Sequence, residues 1–145
     1  MLAGLFVTPA VTAIKDALTS AKIEGALAVV GNAKLAAAIG AVRDVIPVGL
    51  SARAAKKLPR AIANLSPVES GSLAALIGVE IAADEHWQAT LRDWARVVRD
   101  GGVIIIVDRG HPQEASRRAL CGGLSEIEQR HAGRAVITSG LVSHL

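Results

Sequence analysis

The chain is best understood from one segment, Val97-Val98-Arg99-Asp100-Gly101-Gly102-Val103-Ile104-Ile105-Ile106-Val107-Asp108. An amphipathic helix leads into Arg-Asp-Gly-Gly, which is followed directly by an aliphatic run over residues 103–107. We expect the two glycines to end the helix, where the backbone adopts positive φ. A wholly aliphatic strand is typical of a parallel sheet that is covered on both faces. The segment therefore predicts a helix followed by a central, buried strand.

Strands and helices alternate along the rest of the chain. Predicted strands cover residues 26–30, 45–48, 61–65, 73–79 and 103–107. Predicted helices cover residues 8–21, 34–43, 51–58, 84–98 and 112–120. Candidate N-caps are Thr8, Ser51 and Asp84, and Pro9 is at a first helical position. In the second predicted helix, Val42 is on a buried face. Pro47 places the second strand at an irregular or peripheral position. Residues 125–130 and 135–142 predict an antiparallel hairpin.

This order predicts an α/β fold: a doubly wound, mostly parallel sheet with a C-terminal antiparallel hairpin, in a single domain over residues 1–145. A dinucleotide-binding or receiver-like fold would also alternate strands and helices. Neither normally ends in a hairpin.

The composition narrows the classes of partner and cofactor. Hydrophobic residues make up 51% of the chain, yet only Phe6, Trp87 and Trp94 are aromatic, and the net charge is +3. So few stacking side chains give no support to a nucleic-acid partner. A single cysteine, Cys121, excludes an internal disulfide, and the four scattered histidines show no metal-ligand spacing. The apolar N-terminus is too short to span a bilayer, so we expect a cytoplasmic, bacterial protein without a membrane or metal partner.

The helix that ends in Arg-Asp-Gly-Gly, followed by a strand and a terminal hairpin, resembles the class I S-adenosylmethionine (SAM) methyltransferase family. There, an "RVLxPGG" element lies between the fourth helix and the fifth strand. The resemblance covers nearly the whole chain, from about Ile14 to Leu145. It implies a Rossmann-like, methyltransferase-like domain whose cofactor lies at the carboxyl ends of the strands.

The resemblance also implies which residues should hold SAM, and the usual acids are missing there. The family's first strand carries an acid and a Gly-x-Gly-x-Gly turn; here Ala28 replaces the acid, and the turn keeps only Gly31, followed by Asn32. The second strand normally ends in an acid that binds the ribose hydroxyls, and Gly49 stands in its place. The third contact, against the adenine amine, is reduced to Asn64. We therefore expect a degenerate cofactor cleft, in which these positions matter only if a ligand binds.

Other chemistry-bearing residues are more simply explained as structural. Glu80 follows the fourth predicted strand as a lone carboxylate, for which a solvated or capping role is favoured. Residues 108–111 lie just past the fifth strand, where a loop cap is favoured over an acid, a base or an anion contact. A further set is the cationic cluster on and after the third predicted helix, for which a solvated face is the usual outcome: Arg53, Lys56, Lys57 and Arg60.

Three functions follow as hypotheses. The first is a catalytically inactive pseudoenzyme that acts by protein binding or self-association as a homo-oligomer, with residues 135–142 as an aliphatic sheet edge and no cofactor. The alternative is a small SAM-dependent methyltransferase with an atypical cofactor site, in which Asn32, Asn64 and Asp108 replace the missing acids. The third is a small-ligand sensor, for which Gly31, Gly49 and Gly78 leave room at the cleft.

Overall fold

The computed structural model describes residues 2–144, with side chains from Pro9 onward. Five helices and six strands lie within this part of the chain. The helices are α1 (Leu2–Ser20), α2 (Ala33–Gly40), α3 (Ala52–Ala55), α4 (Trp87–Val97) and α5 (Pro112–Cys121). The strands are β1 (Leu27–Val30), β2 (Val45–Val48), β3 (Leu73–Val79), β4 (Val98–Asp108), β5 (Ser125–Ala132) and β6 (Ala135–Leu141). Among these helices, none combines the length and apolar character needed to cross a bilayer.

All six strands form one sheet in the order β2-β1-β3-β4-β6-β5. β1 to β4 are parallel to one another, whereas β6 runs antiparallel to β4 and β5 antiparallel to β6. The predicted α/β sheet, mostly parallel with a C-terminal antiparallel pair, is confirmed. β2 lies at one edge, as Pro47 indicated.

The sheet is covered on both faces by aliphatic side chains. α1 and α2 pack on one face and α4 and α5 on the other, and each face has its own core cluster. In β4, side chains from Ile104 to Val107 are fully buried and alternate between the two clusters, as expected of a central strand. Apart from Trp94, the buried residues of both clusters are Ala, Val, Leu and Ile.

The Gly-Gly element works differently from the prediction. α4 ends at Val97, and residues 98–102 already belong to β4. Only Gly101 has positive φ (+82°). Gly102 is required for space, because a Cβ there would lie 2.6 Å from the carbonyl oxygen of Ala74 on β3. One glycine therefore turns the chain, and the other lets β4 pack against β3.

Two predicted helix starts and one predicted helix end are wrong. α1 begins at Leu2, so Thr8 and Pro9 lie within the helix, where the loss of one backbone donor does not stop it. Asp84 is not the N-cap of α4; it braces the first turn by accepting hydrogen bonds from His86 N and Thr90 Oγ1. Because α2 ends at Gly40, Val42 lies beyond the helix and is 63% exposed.

Two predicted strand assignments are also wrong. Residues 61–65 do not form a strand; Ile62 alone pairs with Val48 as an isolated bridge. Residues 135–142 are not a sheet edge, since β6 lies between β4 and β5 and is almost wholly buried. The hairpin's edge strand is β5, whose polar side chains suit solvent.

The tight contact at Gly102 gives a testable prediction. We expect Gly102→Ala to lower the free energy of unfolding by about 1–3 kcal/mol, because the added Cβ meets backbone that cannot move aside. Gly40→Ala is the matched control. Its Cβ makes an ordinary 3.7 Å contact with Val45 and lies in a helix, so stability should stay unchanged or rise by up to about 1 kcal/mol. Urea denaturation measures both, and equal losses would contradict this role of Gly102.

Candidate functional site

The carboxyl ends of the four parallel strands meet at one edge of the sheet. Val30 is in register with Val48 and Gly78, and Gly78 with Ile106. Residues that follow these strands therefore lie side by side, at the edge where open α/β sheets bind ligands.

Gly31 and Gly49 lie next to each other at this edge, and both are conformationally required. Their φ values are +85° and +69°. Both N–H groups are already used: Gly31 N donates to Val48 O at 2.9 Å, and Gly49 N donates to Ile62 O at 3.0 Å. These two N–H groups, which a glycine turn would offer to a ligand, therefore already donate within the fold.

The side-chain oxygens of Asn32 and Asn64 also accept hydrogen bonds from nearby backbone N–H groups. Asn32 is the N-cap of α2, and its Oδ1 accepts from Leu35 N at 2.9 Å. Asn64 is exposed, and its Oδ1 accepts from Ser66 N at 2.9 Å. Asn64 lies near Gly49, since a Cβ on Gly49 would come within 3.9 Å of Ala63 O. The structure therefore brings the four predicted positions to the same edge.

These residues do not fit the way the methyltransferase family is expected to hold SAM. Ala28 lies within β1 with no exposed surface and contributes to the core, so it presents nothing to a ligand. No carboxylate follows β1 or β2 directly, because Gly31-Asn32 and Gly49-Leu50 stand there. Ribose hydroxyls placed at the ends of β1 and β2 would lack a charged acceptor there.

Gly78 does not leave room for a ligand, contrary to the prediction for it. A Cβ at this position would lie within 2.6 Å of three atoms of the Trp94 ring. The indole of α4 fills this space and is itself 4% exposed. Gly78 therefore serves the packing of a helix on β3.

Titratable groups gather on the other half of the edge, after β3 and β4. Glu80 has φ +63°, donates its N–H to Val107 O at 2.9 Å and pairs with Arg109 at 2.9 Å. Asp108 is 1% exposed; its Oδ1 accepts from Ala82 N at 2.9 Å, and its Oδ2 is buried with no hydrogen-bond partner. His111 has φ +55° and precedes α5.

Burial dominates the ionisation of Asp108. Desolvation raises the pKa of its carboxyl to about 6, and the charge of Glu80 raises it further. The hydrogen bond from Ala82 N–H lowers this pKa, and so do the electrostatic interactions with His111 and Arg118. Asp108 thus caps a loop, as the sequence favoured, but its burial was not foreseen.

Arg118 secures the loop that follows β3, a role that sequence reasoning missed. Its Nη1 donates to Ile81 O at 2.7 Å and to Asp84 O at 2.9 Å. Its Nε donates to Glu114, which also accepts from Arg117. The hydrogen bonds from Arg117 and Arg118 lower the pKa of Glu114 to about 2. The i, i+3 and i+4 spacing of these residues on α5 was the available signal.

No group of three or more His, Cys, Asp or Glu side chains within residues 2–144 is arranged to hold a metal ion. Cys121 is exposed at the end of α5.

The raised pKa of Asp108 predicts a pH-dependent stability. The folded state holds the proton more tightly than the unfolded state, whose pKa is near 3.8. The free energy of unfolding should therefore fall as pH rises from about 4 to above 6, by up to about 3 kcal/mol. Asp108→Asn should remove this fall and be more stable than the parent at pH 7. Thermal denaturation across pH tests this, with exposed Glu69→Gln as control; equal pH slopes in Asp108→Asn and the parent would refute it.

Comparisons by sequence find no matching protein-family profile and no matching curated protein. Comparisons by structure find close likenesses in fold. A putative SAM-dependent methyltransferase from Methanococcus maripaludis superposes with a TM-score of 0.71 at 13% identity, over 97% of this chain and 88% of that one. A structure of the Haloferax volcanii Trm112 methyltransferase activator with a putative methyltransferase matches with a TM-score of 0.73 at 12% identity, over 90% and 89%.

A SAM-dependent methyltransferase from Aquifex aeolicus matches with a TM-score of 0.65 at 10% identity, over 95% of this chain and 91% of that one. These proteins are of similar length, and the likeness extends over nearly all of each chain. At such low identity the comparison concerns the fold alone. The chain has the fold of the class I SAM-dependent methyltransferases, as its sequence predicted.

Proposed function

We propose that this chain is a methyltransferase-like domain that transfers no methyl group itself and acts as a protein-binding or assembly module. One observation carries the proposal. At the ends of β1 and β2, Gly31 and Gly49 stand where the family would place cofactor contacts, and their N–H groups are bound by Val48 and Ile62.

The energetic consequence for SAM is large. A charge-assisted, two-point contact to ribose hydroxyls contributes about 2–5 kcal/mol, and its loss weakens binding by about 30-fold to several thousand-fold. Asn32 and Asn64 do not replace this charged contact, because their oxygens already accept backbone hydrogen bonds. Trp94 occupies the space beside Gly78.

A role in protein binding agrees with one of the structural neighbours, a putative methyltransferase solved with the Trm112 activator. Self-association through residues 135–142 is not part of the proposal, since β6 is internal. The exposed edge strand β5 carries Glu126, Glu128 and Arg130, and such charges oppose pairing between two copies.

A second candidate function is a small SAM-dependent methyltransferase with an atypical cofactor site. Two observations favour it. Glu80 and His111 both have left-handed backbone conformations, and they lie at the same edge as the buried carboxylate of Asp108. Strained backbone and perturbed carboxylates both concentrate at active sites. Asn32, Asn64 and Asp108 would then have to hold the cofactor.

Isothermal titration with SAM and S-adenosylhomocysteine up to millimolar concentration tests the proposal. We expect no measurable binding, because the acidic contacts are missing. A dissociation constant below about 100 μM would refute the proposal and favour the enzyme.

Gly49→Asp identifies the cause of a negative result. It restores a carboxylate where the family carries one, and Asp tolerates positive φ better than most residues. Gly71→Asp is the matched control, since Gly71 has φ +66° and open space around it. Binding gained only by Gly49→Asp would show that the missing acid excludes SAM, whereas silence in both would indicate that further contacts are lost.

A further inference from the structure

A cavity of about 560 Å³, here called the α1–β5 cavity, lies between the end of α1 and the terminal hairpin. On this face of the sheet, α1 packs against β6 and β5. Gly101 and Val103, in the first half of β4, also line the cavity. The cavity therefore lies toward the amino ends of the parallel strands, away from the edge where a cofactor is expected. Further lining residues are Ala17, Ser20, Glu126, Glu128, Ser139 and Leu141.

Ser139 interrupts an apolar row of side chains in β6. Because side chains alternate along a strand, Ser139 shares a face with Ala135 and Ile137, which belong to the core cluster beneath α1. Ser139 is 9% exposed and lines the cavity, yet its hydroxyl makes no hydrogen bond to any residue that the structure describes. Buried hydroxyls are normally hydrogen-bonded. The hydroxyl of Ser139 is therefore available to a ligand in the cavity.

Glu128 stands directly opposite Ser139 in the hairpin. Side chains of directly opposed residues project from the same face of a sheet, with their Cβ atoms about 4.5–5.5 Å apart. Both residues line the α1–β5 cavity. A single ligand group with several N–H donors can therefore contact the carboxylate of Glu128 and the hydroxyl of Ser139 together.

The charge of the cavity lining is negative. Among its described residues, only Glu126 and Glu128 are charged, and neither forms an ion pair with any residue between 2 and 144. Glu126 has φ +51° and lies where β5 gains one residue relative to β6, a bulge of the kind that re-aims a side chain. α1 ends beside the cavity without a basic residue in its last turn, so its C-terminus adds partial negative charge.

Arg130 is a cation close to the cavity but is not one of its lining residues. Its Nη2 donates to Ser20 Oγ at 3.4 Å. No ion pair joins Arg130 to a glutamate within the described chain. Two carboxylates and a helix C-terminus against one guanidinium leave this site negative, which favours a cationic ligand.

We infer that the α1–β5 cavity binds a protonated aliphatic amine, whose ammonium group donates to Ser139 Oγ and pairs with Glu128 and Glu126. The inference goes beyond the proposed function, because this site is separate from the cofactor edge. The remaining lining is largely apolar, which suits the hydrocarbon chain of such an amine.

Two other kinds of cation fit the cavity less well. A metal ion is disfavoured, because no cluster of three or more His, Cys, Asp or Glu side chains capable of holding one exists within residues 2–144. A quaternary ammonium group has no N–H to donate to Ser139. It would also lack an aromatic cage, since the described lining residues include no aromatic side chain.

Isothermal titration with 1,4-diaminobutane, at pH 7 in an amine-free buffer, tests the inference. We expect a dissociation constant of about 0.1–1 mM that weakens as salt is added. The uncharged 1,4-butanediol should not bind. The bis(trimethylammonium) analogue of the diamine should bind at least about tenfold more weakly, because it carries no N–H donor. Absence of diamine binding, or equal binding of the diol, would overturn the inference.

Ser139→Ala tests the hydroxyl without removing a hydrogen bond of the fold. It should weaken diamine binding about threefold to tenfold, the effect of one hydrogen bond. The melting temperature should not fall, because the hydroxyl has no partner among the described residues. Ser66→Ala is the matched control, since Ser66 is exposed and lies outside the cavity. Unchanged binding in Ser139→Ala would overturn the inference.

Glu126→Gln combined with Glu128→Gln tests the charge. Binding should weaken at least about tenfold and lose most of its salt dependence. Glu69→Gln with Glu85→Gln is the matched control, because it removes the same charge from exposed residues outside the cavity. An equal loss in the control would show a general electrostatic attraction and overturn the inference. Tighter binding of Ca²⁺ than of diamine, lost in the Glu126 and Glu128 variant alone, would assign the carboxylates to a metal ion and also overturn it.

Discussion

The close approach of β4 to β3 at Gly102 is the constraint on which the arrangement of the sheet depends. The missing side chain lets Gly102 lie against the carbonyl of Ala74, and the positive φ of Gly101 turns the chain into that position. From there Ala75 pairs with Val103, and the register continues to Val79 and Val107. Because the parallel strands then end level with one another, the loops that follow them share a single edge. Gly31, Gly49, Glu80 and Asp108 meet there for this reason.

Much of the fold could be predicted because hydrophobic periodicity and glycine positions are local signals. Which strands form the sheet edges depends on pairing between distant segments, and the prediction for residues 135–142 was wrong in this respect. The hairpin was recognised, but the chain order does not say which of its strands joins β4. The compositions did hold a signal, since Ser125–Ala132 is polar and Ala135–Leu141 is aliphatic, as suits an outer and an inner strand. Residues 61–65 were mistaken for a strand because their apolar run resembles one, whereas only Ile62 pairs.

The sequence indicated the acids missing after β1 and β2, and it placed Glu80 and residues 108–111 after the next two strands, but it did not indicate the burial of Asp108. An absent acid can be recognised from the sequence once the register is known, as at Gly49. The burial of Asp108 depends on side chains brought from three elements and has no sequence signature. The spacing on α5 indicates that Arg118 pairs with Glu114, but not that Arg118 reaches the carbonyls of Ile81 and Asp84 from more than 30 positions away. Burial of this carboxylate disfavours its ionised form, which agrees with the raised pKa of Asp108.

The lack of a full third strand beside β2 affects both the carboxyl edge of the sheet and the face next to β2. A full third strand beside β2 would extend the sheet, and in an α/β fold a helix that covers the sheet usually follows such a strand. In its place, Ile62 bonds to the backbone of Pro47 and Gly49, and the loop held by Arg96 leaves Ala26 and Ile46 only partly buried. Residues 63–68 therefore place no carboxylate after the bridge, and an apolar surface stays open beside β2. Both core clusters nevertheless remain buried without this strand, because α4 and α5 cover the sheet over β3 and β4 on one face and α1 and α2 cover the other.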